Sequence, residues 1–178
     1  SIDRYNTENL PFFVSVPESD LELFKPLLSQ SSYANLLTDE DLLSQSNALG
    51  ESRAKGYPGS LLQQIVKVAF GMIGNVSRYV VIDSDSFFIR PFGKKDFLSE
   101  DGVPFTIMHK CEDLLGFCEA NGMHFVHTNY EKERIKLQGL FDRSGEIYDF
   151  GPTPVVWGSE VWQKLKESYL NKYNISLL

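Results

Sequence analysis

Tyr79 to Phe92 reads YVVIDSDSFFIRPF, an aliphatic run followed by two aspartates one residue apart, then aromatics, an arginine and Pro-Phe. A buried carboxylate is expensive, and two neighbouring ones repel each other. Asp83 and Asp85 therefore call for a compensating cation or for hydrogen-bond donors. In a strand, residues i and i+2 share a side, so both carboxylates are expected to project together with Ser84 facing away. At the carboxyl end of a parallel strand, that side is the edge where open α/β sheets bind ligands. Hard oxygen donors suit Mg²⁺ or Mn²⁺ rather than zinc, and such an ion keeps positions for phosphate oxygens, which points to a diphosphate. The plainer alternative is that both aspartates cap a turn and bond to backbone amides of the SFF segment.

The flanking elements follow an α/β rhythm. PFFVSVP is a short apolar run closed by proline and reads as a buried strand. A helix follows, with Ser19 or Asp20 as cap and Leu21, Phe24, Leu27 and Leu28 at helical spacing. A weak strand is expected near Tyr33 to Leu37 and a short helix near Asp39 to Leu43, ahead of a polar loop, SQSNALGESRAKGYPGS. Ser60 and Gln63 have capping-box spacing, and Leu61, Leu62, Ile65, Val66, Ala69 and Phe70 form the apolar face of the most clearly patterned helix. The run Tyr79 to Ile82 suits a strand covered on both faces, and Val103 to Met108 reads as the next strand. Asn129 to Leu140 has a helical pattern. A short strand is expected at Pro154 to Trp157 and an amphipathic helix from Ser159, as N-cap, to Tyr169.

The 178 residues are 42% hydrophobic and 23% charged, the make-up of one globular domain rather than of a disordered chain. A net charge of −7 lacks the basic excess that phosphate-backbone binding requires, so nucleic acid is not an expected partner. No apolar run approaches the roughly 20 residues of a transmembrane segment. Cys111 and Cys118 are too few for a disulfide framework and read as reduced thiols, which suits a cytoplasmic location. Together with His109, His124 and His127 they form a possible zinc set, but Cys-x₆-Cys-x₅-His-x₂-His departs from the tight spacings of structural zinc sites.

A strand ending in DSD and followed by Phe, a basic residue and Pro-Phe resembles the DxD region of GT-A nucleotide-sugar glycosyltransferases, particularly a group of bacterial putative glycosyltransferases. The resemblance implies that Asp83 contacts the ribose or the metal and that Asp85 ligates Mn²⁺ or Mg²⁺ bound to the diphosphate of the sugar donor. GSLLQQIVKVAF resembles the Gln-Gln-x-x-Lys-hydrophobic helix that precedes the DxD strand, and the more distant glycogenin-like enzymes place a phosphate-contacting lysine similarly. Lys67 occupies that position, with Gln63 one turn earlier as a further polar contact. A lysine snorkelling from an apolar helix is the alternative. GPTPVVWGSEVWQKL resembles the strand and helix that follow the DxD and line the donor-sugar and acceptor side. There Trp157 suits stacking on a sugar ring, or packing in the core.

The expected fold is α/β, a GT-A-like, mostly parallel sheet flanked by helices, as a single domain over residues 1–178 cut short at one or both ends. The usual opening nucleotide-binding strand and the His-x-x-Gly-x-Lys-Pro-Trp element that supplies a third metal ligand in glycogenin-like enzymes are both missing from the pattern. The expected activity is metal-dependent transfer of a sugar from a nucleotide-diphosphate donor to a glycan or other hydroxyl acceptor. Asp149 and Glu160 are the candidate general bases if the reaction inverts. Two alternatives stand beside it. One is a GT-A-like domain that binds nucleotide or glycan without turnover. The other is a haloacid-dehalogenase-like phosphatase, whose nucleophilic aspartate also ends a strand within a DxD.

Overall fold

A computed structural model describes residues 2–46, 58–73, 75–149 and 153–173. Of the expected loop, residues 44–60, positions 47–57 lie outside them, while 44–46 and 59–60 are helical. The chain divides into two compact units, Ser1–Phe105 with Val156–Leu178, and Thr106–Val155.

The larger unit opens with a helical turn, α1 (Ile2–Tyr5), and then β1 (Phe12–Val16), where aromatic and β-branched residues favour extended backbone. Helix α2 (Leu21–Leu28) carries the chain back to β2 (Ala34–Thr38). β2 pairs with β1 in parallel, in register from Phe12 opposite Ala34 to Val16 opposite Thr38. This is a βαβ crossover, the connection that parallel pairing demands. Thr38 ends the strand and caps the next helix, α3 (Asp39–Ser46), by accepting a 3.1 Å bond from the Asp41 amide.

Helix α3 packs on α4 (Gly59–Met72), and their contact is the core: Leu42, Leu43, Ile65, Val66 and Ala69 are buried, with Leu37, Leu62 and Phe70 against them. The capping box expected at Ser60 and Gln63 does not form. Helix α4 starts two residues earlier than a Ser60 cap would give, behind Pro58, whose carbonyl takes the Leu61 and Leu62 amides. Ser60 is then already inside the first turn, where its hydroxyl cannot serve as the N-cap.

β3 (Arg78–Val81) pairs with β4 (Val155–Gly158), so the described strands form two two-stranded pieces. The strand expected at Val103 to Met108 is absent. That stretch makes one isolated bridge, Leu98 to Pro104, and leaves Val103, Phe105, Ile107 and Met108 about half exposed. Pro104 has no amide hydrogen to continue a ladder, and that outweighs the apolar pattern.

After β4 comes α7 (Ser159–Leu165), numbered after the two helices of the smaller unit, and it runs on into a wider π turn, Lys166–Leu170. Ser159 was the expected N-cap. It is instead the first helical residue, and its buried hydroxyl donates to the Val76 carbonyl (2.6 Å) while its amide donates to Ser77 (3.0 Å). The residue thus ties α7 to the segment that leads into β3. Ser159→Ala leaves the Val76 carbonyl without this donor and should destabilise the chain by about 1 kcal/mol, a fall in Tm of about 2–4 °C. An unchanged thermal melt would contradict that role.

The smaller unit is built on α5 (Glu112–Ala120) and α6 (His124–Leu140), joined by Asn121–Met123, where Gly122 has φ of +72°. His109 and Asp149 close it by exchanging backbone bonds of 3.1 and 2.8 Å. Helix α6 begins five residues ahead of the pattern at Asn129. Among the described residues, no helix is long and apolar enough to cross a membrane.

Candidate functional site

The two aspartates sit just past the end of β3. The strand stops at Val81, and the Ser86 amide donates to the Asp83 carbonyl (3.0 Å), which folds Asp83 to Ser86 into a turn. Strand alternation therefore does not set the direction of these side chains, contrary to expectation. Aspartate and serine supply turn chemistry, and it prevails over the strand period here. Both aspartates are exposed, at the carboxyl end of β3 as expected.

What meets Asp83 is a cation. Lys67 Nζ lies 2.7 Å from Asp83 Oδ1, with the lysine side chain 18% exposed and the aspartate 47%. The sequence places Lys67 beside a diphosphate or in solvent. In the structure it leans off α4 with its stem covered and its charge on the DSD turn. Gln63 is exposed one turn earlier on the same helix.

The backbone of Lys67 is held as well. Tyr79, on β3, donates from Oη to the Lys67 carbonyl (2.9 Å) and accepts from Trp162 Nε1 of α7 (2.9 Å). The ring meets Phe70 edge-on at 5.2 Å and Trp157 at 6.0 Å, and Trp157 meets Trp162 at 4.9 Å. Burial pushes the Tyr79 hydroxyl well above the usual tyrosine range, with the Trp162 bond acting in the opposite sense, so the group stays protonated. Trp157 is half-buried in this aromatic array, where its edges serve packing.

Beyond the turn the chain is pinned by Phe88, stacked on Phe92 at 3.7 Å, and by Phe92, whose backbone bonds to Tyr5 and Thr7. The neighbours alternate outward, leaving Phe87 and Ile89 about three-quarters exposed beside the carboxylates.

The candidate bases belong to different units. Glu160 is exposed on α7, 3.9 Å from Lys164, whereas Asp149, in the smaller unit, accepts a 2.9 Å bond from Arg134. The suggested zinc set is dispersed: His109 lies by Cys111, His124 by Glu119, and His127 by Glu131. Both cysteines are free and buried. Among the described residues, no group of three or more His, Cys, Asp or Glu is arranged to hold a metal ion.

A family model matches residues 1–174. The chain belongs to DUF6492, a family of unknown function. No curated relative and no solved structure matches it. For this DUF6492 chain the reading therefore rests on its own geometry: two exposed carboxylates on one turn at a strand's carboxyl end, with a lysine in contact with the first. Carboxylates are the hard oxygen donors that Mg²⁺ and Mn²⁺ take, and one oxygen of Asp83 is paired with Lys67.

Sequence reasoning missed the links between elements. The Lys67–Asp83 pair spans 16 residues, and the Tyr79–Trp162 bond spans 83. The only sequence signals for the second are the polar tips of an otherwise buried tyrosine and tryptophan, which seek partners when enclosed.

Proposed function

We propose that this chain is a metal-dependent glycosyltransferase of GT-A type, moving a sugar from a nucleotide-diphosphate donor to a hydroxyl acceptor. The observation that supports the reading is the Lys67–Asp83 pair, which sets a lysine cation against the first carboxylate of the DSD turn, with Asp85 exposed two residues on. The parallel β1–α2–β2 crossover supports the fold part of the proposal, since it is the repeating unit of open α/β sheets. The free cysteines support a reducing, cytoplasmic setting.

Asp83 and Asp85 would hold Mn²⁺ or Mg²⁺. Bound there, the ion would neutralise charge developing on the diphosphate leaving group. Lys67 adds a second positive charge at the same place, and the Tyr79 bond to its carbonyl keeps the helix in position. The β3 turn orients the carboxylates. Phe87 and Ile89 offer an apolar surface beside them.

Incubating the chain with a panel of sugar nucleotides and Mn²⁺ tests the enzyme reading. Release of nucleoside diphosphate, lost on chelation, is the expected result. Metal-dependent binding with no turnover on any donor would instead leave a non-catalytic nucleotide-binding domain. A phosphorylated Asp83 would indicate a phosphatase.

Lys67→Met separates the lysine's two roles. The ion pair is half-exposed, so its loss should cost under about 1 kcal/mol of stability. Affinity for a nucleoside diphosphate should fall about tenfold, through loss of one charge-assisted contact. Calorimetry beside a thermal melt checks both, and unchanged affinity would remove Lys67 from the binding site.

A further inference from the structure

The smaller unit holds a nucleophile that the proposed reaction does not use. Cys111 precedes α5 in the left-handed backbone region, with φ of 56°, and its sulfur lies 3.3 Å from His109 Nδ1. Asp149 Oδ2 is 3.7 Å from the same sulfur and accepts from Arg134 Nη2 at 2.9 Å. Arg134 also lies over the Tyr130 ring, 4.6 Å from its centroid. Within this group the Tyr130 hydroxyl is enclosed against the Cys111 sulfur. Burial raises its pKa, and the Cys111 sulfur beside it acts in the same direction.

A thiol with an imidazole nitrogen in reach has a base for its proton, which is the requirement for attack on an electrophile. The carboxylate nearby would oppose a negative sulfur, but the arginine already bonded to it offsets its charge. The Tyr130 hydroxyl lies beside the Cys111 sulfur and can donate to an acceptor atom carried there. An oxygen carried on the Cys111 sulfur would provide that atom. Both cysteines are nearly enclosed, Cys111 8% and Cys118 4% exposed, but Cys118, in α5, has no such base among the described residues.

We infer that Cys111 is a site of oxidation by hydroperoxides, with His109 as its base and the Tyr130 hydroxyl as donor to the product. His109 takes the thiol proton and the sulfur attacks one peroxide oxygen. The S–O bond forms as the O–O bond breaks, and the imidazolium returns the proton to the departing hydroxide. With hydrogen peroxide the products are a sulfenic acid and water, sulfur losing the two electrons that the peroxide gains.

The test treats the full chain with hydrogen peroxide in the presence of dimedone, which traps sulfenic acids, and reads each cysteine by peptide mass spectrometry. Cys111 should be labelled at least about tenfold faster than Cys118, and His109→Gln should slow Cys111 about tenfold while leaving Cys118 unchanged. Equal labelling of the two cysteines in the parent, or no adduct on Cys111, would overturn the inference without needing any variant to fold. Undiminished labelling in His109→Gln would overturn it too. Tyr130→Phe should raise the share of sulfinic product, and an unchanged share would overturn the part given to its hydroxyl.

Discussion

Asp85→Ala should leave the chain as stable as its parent while lowering metal-dependent diphosphate affinity about 100-fold or more. Asp85 lies in the exposed turn that follows β3, and its side chain makes no hydrogen bond among the described residues. Surface changes of that kind usually stay within about 0.5 kcal/mol. If Asp83 and Asp85 share the ion as proposed, the variant would hold it by a single aspartate that also faces Lys67. A thermal melt paired with titration of a nucleoside diphosphate in Mn²⁺ reads both effects. A destabilised variant would show that the turn is structural, and a stable variant with unchanged affinity would show that Asp85 binds no metal.

Gly71→Ala should be among the most damaging single-methyl additions in the larger unit, costing about 2–3 kcal/mol, or about 5–10 °C in Tm. A Cβ at Gly71 would lie 2.5 Å from Tyr79 Oη and 2.7 Å from its Cε1. That ring is not a loose end that can swing away. It is held edge-on against Phe70 and Trp157 and bonded through its hydroxyl to Lys67 and Trp162, so displacing it strains the packing and breaks two half-buried bonds. Tyr79→Phe alone should cost about 1–2 kcal/mol by leaving the Trp162 donor unpaired. Combined with Gly71→Ala it should cost less than the sum, since phenylalanine lacks the oxygen that meets the new methyl first. Additive losses in thermal melts of the single and double variants would contradict this geometry.

The sequence made legible those features that rest on local periodicity. Helix α4 and the strands before and after it are visible because apolar spacing changes from helical to continuous within a few residues. The βαβ opening is visible because proline and acidic residues punctuate it. Where expectation and structure part, a nearby backbone effect prevailed. Pro58 moved the start of α4 ahead of Ser60, Pro104 halted a strand, and the DSD residues made a turn where alternation expected extended chain. Contacts across elements left no local trace. Lys67 was singled out for a phosphate, but its protein partner is Asp83, because helix and strand packing sets that distance. Likewise, spacing groups Cys111 with His109, Cys118, His124 and His127. Of these the fold keeps His109 beside its sulfur, and it adds Asp149 from 38 residues away.

The most direct measurement is a calorimetric titration of a nucleoside diphosphate into the chain, with and without Mn²⁺. Saturable binding should appear with the metal and weaken at least about tenfold without it, since on the proposed reading Asp83 and Asp85 would hold the ion that neutralises the diphosphate. Equal affinity in both conditions, or no binding of any nucleoside diphosphate with Mn²⁺ present, would contradict the assignment of the DSD turn as a metal-diphosphate site.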